Sequence, residues 1–253
     1  MEKDRLVDRQ LVLDVPVDSF SLEDMPSIYG EKLAAAEEQR ESGQIVFLRL
    51  WDLLRARRSK EFRTIVNRAA LVPPVSIGIA RGARFLKRRP VHRHPPFDVL
   101  IRLLSAVEQQ NGSLYLLGGK KPGLHAAELA LRQTFPGVRI VGRYTGYFPT
   151  EIEGDIVTAI KKANPSVLFV GNGVKGGIKW IARHRSVLPP CLAVYTPDGF
   201  AIFAGKRRRP SKESFKRGTD YLPDFRRKPW RILRLPVYFW YLVLLVVHRI
   251  RKR

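Results

Sequence analysis

Residues 166–185, Ser-Val-Leu-Phe-Val-Gly-Asn-Gly-Val-Lys-Gly-Gly-Ile-Lys-Trp-Ile-Ala-Arg-His-Arg, have the residue types and spacing best suited to chemistry. Val167–Val170 is a short apolar run of the kind that forms a buried strand. Gly171, Gly173, Gly176 and Gly177 follow at once, with Lys175 among them, and a helix is predicted from Ile178 onward. A strand that passes through glycines into a helix N-terminus leaves backbone N–H groups uncovered by side chains, which is how α/β proteins hold nucleotide phosphates. The same arrangement also serves as a tight structural turn, and spacing alone leaves both uses open. The pattern recurs upstream, where Leu114–Leu117 leads through Gly118, Gly119, Lys120, Lys121, Pro122 and Gly123 into a helix over Leu124–Phe135. Leu124, Ala127, Leu131 and Phe135 line one face of that helix. A strand over Val138–Val141 then precedes Gly146, Tyr147 and Phe148.

These turns need a frame, and the order of elements supplies one. A helix over Glu151–Ala163, closed by Asn164-Pro165, completes a β-α-β-α-β-α series from Leu114 to Arg185. Strands alternating with helices of this length predict an α/β fold with a parallel, Rossmann-like sheet and helices on both faces. Ligands of such sheets lie beyond the carboxyl ends of the strands, where the glycine turns fall. Before the series, residues 1–30 read as an N-terminal strand or hairpin with its lead-in, Glu31–Gln39 as a helix and Gln44–Leu48 as a strand. Trp51–Ala70 reads as a basic helix, and Leu71–Ile79 as a strand interrupted by Pro73-Pro74. The composition changes near Lys206, which divides the chain into a globular part, 1–205, and an appendage, 206–253.

Charge says what that appendage meets. The chain has 253 residues, 45% of them hydrophobic, and a formal charge of +23. From Lys206 onward there are sixteen Lys and Arg against three acids, a net of +13. So basic a surface seeks phosphate, in nucleic acid or in anionic lipid. The apolar run from Leu235 to Val247 is shorter than the roughly 20 residues a helix needs to span a bilayer. Trp230, Tyr238, Trp240 and Tyr241 are residue types that settle at headgroup level, and Arg231, Arg234, Arg249 and Arg251 bracket the run. The pattern fits a segment lying in an anionic membrane surface, and a buried C-terminal core helix is the other reading. Basic stretches at 55–60, 81–93 and 206–209 are compatible with phosphate-backbone contacts. No helix-turn-helix, zinc pattern or aromatic RNA platform accompanies them, so nucleic acid is set aside as a partner.

Other chemistry finds little support. Cys191 is the only cysteine, which rules out a disulfide framework and reads as a core thiol. His92 and His94 lack a third ligand type in register, so no metal and no cofactor are expected. Asp198-Gly199 reads as a turn. The opening Met-Glu-Lys-Asp-Arg-Leu has no signal-peptide apolar region, so the expected location is peripheral, on the cytoplasmic face of the plasma membrane.

The order of motifs is itself informative. Leu-Leu-Gly-Gly-Lys at 116–120, Val-Gly-Arg-Tyr-Thr-Gly-Tyr-Phe at 141–148 and Val-Gly-Asn-Gly at 170–173 with Lys-Trp-Ile-Ala-Arg at 179–183 precede Ala-Gly-Lys at 204–206 and Lys-Pro-Trp-Arg at 228–231. This series resembles the WecG/TagA/CpsF family of bacterial glycosyltransferases. The 14–24 segment looks like the family's opening strand and first helix, and Arg93-His-Pro-Pro-Phe-Asp98 sits where the family carries an Arg-Val-Thr-Gly-Ser-Asp type segment. The resemblance implies transfer of an N-acetylmannosamine-type sugar from a UDP donor to a polyprenyl-lipid-linked acceptor in cell-envelope polysaccharide assembly. Carried onto this sequence, it points to Arg93, Gly118, Gly119, Lys120, Gly146, Tyr147, Gly171, Gly173 and Lys175 for substrate and to Asp98 for catalysis.

The chain also departs from the family pattern. It reads Phe47-Leu48-Arg49 for a Thr-x-Asn strand end, Val75-Ser76 for the Asp-Gly pair that supplies the proposed catalytic carboxylate, and Lys175-Gly176-Gly177-Ile178 for Pro-x-Gln-Glu. Deprotonating an acceptor hydroxyl needs a base, and valine cannot take a proton. Either the base has moved, with Asp98 as the remaining carboxylate, or the chain keeps the fold and binds a nucleotide sugar, lipid or partner enzyme without turnover. Asp98 also suits a helix N-cap, and Arg93 suits either a bidentate diphosphate contact or a basic surface run. Self-association as a homo-oligomer stays open.

Overall fold

The computed structural model describes residues 6–209, 211–219 and 235–251. The predicted membrane residues Trp230, Arg231 and Arg234 lie outside them.

Val167–Val170 and Ser113–Leu117 are buried along their whole length, which only a sheet covered on both faces allows. The central sheet has five strands: β3 Gly43–Ile45, β4 Ser113–Leu117, β5 Arg139–Tyr144, β6 Val167–Val170 and β7 Leu192–Tyr195. They lie in the order β3-β7-β6-β4-β5, and every pairing is parallel. Alternation along the strands sorts the core. Leu114, Leu116, Val167, Phe169, Leu192 and Val194 meet α1 Met25–Gln39, α5 Pro96–Gln109, α6 Lys121–Thr134 and Phe200 of the short α9 Gly199–Phe203. Tyr115, Leu117, Leu168, Val170 and Ala193 meet α7 Glu153–Ala163 and α8 Gly177–Arg183 on the other face. The predicted architecture is therefore present.

A third apolar core lies beyond the β3 edge. It joins the hairpin β1 Asp8–Val12 and β2 Val15–Ser19 to α2 Leu50–Arg58, α3 Lys60–Asn67 and α4 Ile77–Phe85. Here the structure differs from the sequence expectation at two points. The basic helix expected over Trp51–Ala70 is broken at Ser59, whose hydroxyl accepts the Phe62 N–H at 3.2 Å and caps α3. The strand expected over Leu71–Ile79 shrinks to single bridges, Ile45 with Leu71 and Leu48 with Pro74, because Pro73 and Pro74 have no N–H for a ladder. The chain turns helical at Ile77 instead.

After Lys206 the described residues form α10 Lys212–Arg217 and α11 Leu235–Arg251. The last helix is buried along one face only. Tyr241 and Leu245 are buried in the third core, where the Tyr241 hydroxyl donates to the Gly78 carbonyl at 2.9 Å. A Cβ at Gly82 would overlap that hydroxyl, so the glycine of α4 is what admits the ring. Tyr241, expected at headgroup level, thus faces inward as the anchor of α11. Phe239 (69% exposed), Leu242 (57%), Val246 (47%) and Ile250 (67%) recur at helical spacing on the opposite face.

One buried carboxylate ties the hairpin to the rest. Asp18 is fully buried, takes a two-pronged contact from Arg9 at 2.7 Å and 2.7 Å, and accepts the Val72 N–H at 2.6 Å. Asp18→Ala should fall at the low end of the about 3–5 kcal/mol that breaking a buried pair costs, because Arg9 keeps access to water. A urea titration with a lower midpoint and unchanged slope is the expected result.

Candidate functional site

The strand order makes a topological switch point. β4 and β6 are neighbours, yet the chain leaves β4 for β5 on one side and β6 for β7 on the other, and sheets of this class bind ligands beyond the carboxyl ends of strands at such a point. Three glycine turns meet there. Gly119 N–H donates to the Asn172 carbonyl at 2.6 Å, Gly146 N–H to the Gly119 carbonyl at 2.8 Å and Tyr147 N–H to the Gly173 carbonyl at 2.8 Å. Gly171 N–H donates to the Leu117 carbonyl at 2.7 Å, and Gly118 N–H to the Tyr144 carbonyl at 2.9 Å. A Cβ on Gly118 would stand 2.8 Å from the Gly171 backbone, and one on Gly146 would stand 2.9 Å from the Gly173 Cα. Close packing of loop on loop therefore demands these glycines, and their amides are engaged in it. Gly173 N–H turns to the side chain of Asn172 at 2.9 Å.

What projects from this seam is polar and aromatic. Lys120, at the N-cap of α6, and Lys175, ahead of α8, are both exposed. Tyr147 is 59% exposed and holds φ at 59°, a left-handed conformation that costs a bulky residue energy. One side of its ring rests on Gly173, where a Cβ would come within 2.6 Å of the ring. Tyr195, at the end of β7, covers Gly177 and lies within electrostatic reach of Asp198, Arg49 and Tyr147. Burial raises its hydroxyl pKa, Asp198 adds to the rise, and Arg49 opposes it.

Arg93 and Asp98 each contact the 206–219 segment, through different partners. Arg93 donates to the Val75 carbonyl at 2.9 Å and to the Phe215 carbonyl, with its guanidinium 4.1 Å from the centre of the Phe215 ring. Asp98 is the third residue of α5, whose N-cap is Pro95, so it does not cap the helix. Its carboxylate is 3.8 Å from Arg209, and the neighbouring Phe97 stacks on Phe203 at 4.7 Å. Burial lowers the pKa of the nearby His94, against a contact with the Phe20 carbonyl at 2.8 Å.

Several residues of this end escaped the sequence reading. Asp198 lies in the turn expected of it and in addition pairs with Arg207 at the mouth of β7, a contact the turn reading did not include. Phe200 fills the space under Gly119 and Gly171. Arg49 and Asp52 stand where the 46–50 segment runs beside 71–76, a pairing made by non-local contacts that no local pattern announces. The corner that Val75 and Phe47 occupy is apolar, with Val75 buried and Phe47 packed against the main core. The cavity of 360 Å³ lies at the opposite, amino end of the sheet, around Gly43. Its arginines are committed, Arg9 to Asp18 and both Arg68 and Arg185 to Glu41. Among the described residues no group of three His, Cys, Asp or Glu is placed to hold a metal ion, and no helix is long and apolar enough to cross a membrane.

A five-stranded parallel sheet covered by helices on both faces, with glycine turns meeting at its switch point, defines an α/β protein of the Rossmann-like class. Comparison with known proteins narrows the class: the chain belongs to the glycosyl transferase WecG/TagA/CpsF family, which it matches over residues 10–253. It is similar to the N-acetylglucosaminyldiphosphoundecaprenol N-acetyl-beta-D-mannosaminyltransferase of Bacillus subtilis (strain 168), 22% identical over 184 residues, which are 72% of this chain and 71% of that protein. A protein of the same name from Staphylococcus aureus (strain NCTC 8325 / PS 47) is 26% identical over 145 residues, 57% of this chain and 56% of its own length.

Strain at Tyr147 gives a test of the site. Tyr147→Gly removes the left-handed penalty and adds chain entropy to the unfolded state, so its stability should stay within about 1 kcal/mol of the wild type. A purely structural tyrosine would instead show a clear drop in melting temperature.

Proposed function

We propose that this chain moves an N-acetylmannosamine-type sugar from a UDP donor to a polyprenyl-diphosphate-linked acceptor, as part of cell-envelope polysaccharide assembly. The observation that carries this reading is the convergence of three glycine turns at the switch point, with Lys120, Lys175 and Tyr147 projecting from them. The names of the relatives supply the acceptor and sugar. In this reading the open face of Tyr147 stacks on the nucleobase, the lysine ammonium groups meet the diphosphate, and the glycines bring backbone close to the donor. The acceptor hydroxyl attacks the anomeric carbon, the bond from that carbon to the diphosphate oxygen breaks, and UDP leaves. Asp98 takes the hydroxyl proton, and Arg93 holds the end of the Val75 segment against α10 at the border of the site.

Membrane attachment belongs to the same proposal. The outer stripe Phe239, Leu242, Val246 and Ile250 of α11 lies in the lipid surface, with Tyr238 and Trp240 at headgroup level. Arg251 meets anionic lipid, while Arg249 stacks 4.7 Å over the Phe85 ring at the same edge. The protein then works from the cytoplasmic face of the plasma membrane as a peripheral protein.

A second reading has one observation in its favour. The corner where the family places its proposed catalytic carboxylate holds buried Val75, so the chain is then a silent family member that binds nucleotide sugar or lipid. UDP release decides between them. Purified protein with UDP-N-acetylmannosamine and a polyprenyl-diphosphate-linked N-acetylglucosamine should release UDP only when acceptor is present, and Asp98→Asn should lower the rate by at least ~100-fold. No release from any UDP-sugar, with lipid present, supports the silent reading. Separately, a Phe239→Asp/Ile250→Asp variant should lose co-sedimentation with vesicles containing phosphatidylglycerol while its melting temperature holds.

A further inference from the structure

Arg49 breaks a local rule. It occupies the N-cap of α2 with extended backbone (φ −90°, ψ 161°) and makes no side-chain cap. Asn, Asp, Ser or Thr there would satisfy an orphan N–H, and a cation at a helix N-terminus opposes the helix dipole. The orphan Leu50 N–H is served from elsewhere, by the Ser76 hydroxyl at 3.0 Å. An arginine kept at a position where its own helix disfavours it asks for a reason outside the helix.

Its surroundings supply that reason. Arg49 is exposed and sits at the carboxyl end of the sheet, where Leu48 bridges to Pro74 and the Val75 N–H donates to the Leu48 carbonyl at 2.9 Å. It lies within electrostatic reach of Tyr195, the ring that covers Gly177 and that Tyr147 and Asp198 also influence. Arg49 therefore follows β3 at the same carboxyl end of the sheet at which Lys120 follows β4 and Lys175 follows β6. Among the described residues no carboxylate lies at ion-pair distance from its guanidinium. Asp52 accepts its backbone amide, and the charges of Arg49 and Arg55 favour the Asp52 carboxylate while burial raises its pKa. The two guanidinium nitrogens of Arg93, the other arginine considered for phosphate, donate to the carbonyls of Val75 and Phe215.

We propose that Arg49 is a diphosphate-binding residue, its guanidinium fork meeting the ligand from the β3 side of the carboxyl end that it shares with Lys120 and Lys175. The inference rests on the nucleotide-sugar reading for the identity of the ligand. The shared chemistry is a diphosphate ester, which both the donor and the lipid-linked acceptor carry. Guanidinium geometry suits two oxygens at once, and its charge suits the negative charge that builds on the departing diphosphate.

The test is calorimetric titration of wild type, Arg49→Asn and Arg49→Lys with uridine, UDP, inorganic pyrophosphate and a short-chain polyprenyl-diphosphate N-acetylglucosamine. Arg49→Asn should weaken UDP and pyrophosphate by at least ~10-fold, a contact worth about 1.4 kcal/mol. It should leave uridine unchanged and hold or raise the melting temperature, since Asn is a good N-cap. Arg49→Lys should fall between, keeping charge without the fork. Weakening confined to the lipid diphosphate would keep the proposal and assign Arg49 to the acceptor. Pyrophosphate binding that depends on Arg49, without UDP binding, would remove the nucleotide reading and leave Arg49 standing. Binding of UDP, pyrophosphate and the lipid diphosphate all unaffected by Arg49→Asn, or a wild type that binds no diphosphate at all, would overturn the proposal.

Discussion

Two backbones approach at Gly118 and Gly171 more closely than any side chain allows, and the carboxyl end of the molecule is organised around that contact. The strands β4 and β6 are hydrogen-bonded neighbours, so their loops start about one strand spacing apart. Diverging chain directions would ordinarily open a gap between them. Here the loops stay together for two further residues, and Gly146 and Tyr147 join from the third turn. Each glycine contributes by lacking a Cβ, and Phe200 fills the space beneath. The result is a floor of backbone from which Lys120, Lys175 and Tyr147 rise. The amides of that floor are engaged within it, which leaves the side chains around it as the groups open to solvent.

The β3 edge extends this floor in a different manner. Pro73 and Pro74 prevent a full sixth strand, so the 71–76 segment is held by isolated bridges and by side chains. Asp18 secures one end through Val72, Ser76 secures the other through Leu50, and Arg93 ties Val75 to α10. These are polar contacts in place of a ladder. They put Val75, where this chain departs from the family pattern, next to α10.

The C-terminal helix shows how one element meets two requirements. Its burial is local, concentrated in Tyr241 and Leu245 against the glycines of α4, and leaves most of its apolar surface outside. Exposed apolar area of this kind is costly in water and rarely kept without a partner. The arginine that borders it, Arg249, covers Phe85 with its guanidinium and so continues the same surface onto α4.

Periodicity and glycine spacing were enough to read the central strands, the parallel class of sheet and the three turns, because local backbone preference sets strands and turns, and helices between strands imply parallel pairing. The ordered motifs were likewise enough to place the chain in its family. The break at Ser59 and the loss of the 71–79 strand were less legible, since a cap and a missing N–H outweigh a hydrophobic run only once neighbours are in place. What tertiary structure alone decided is which side chains share a space. It turned Tyr241 inward, bound Arg93 to two carbonyls, set Asp98 beside Arg209, and brought Arg49 within electrostatic reach of Tyr195 across about 150 residues of chain. Sequence determines local backbone preference. Proximity between distant residues comes only from the packing of whole elements, which no short window of sequence contains.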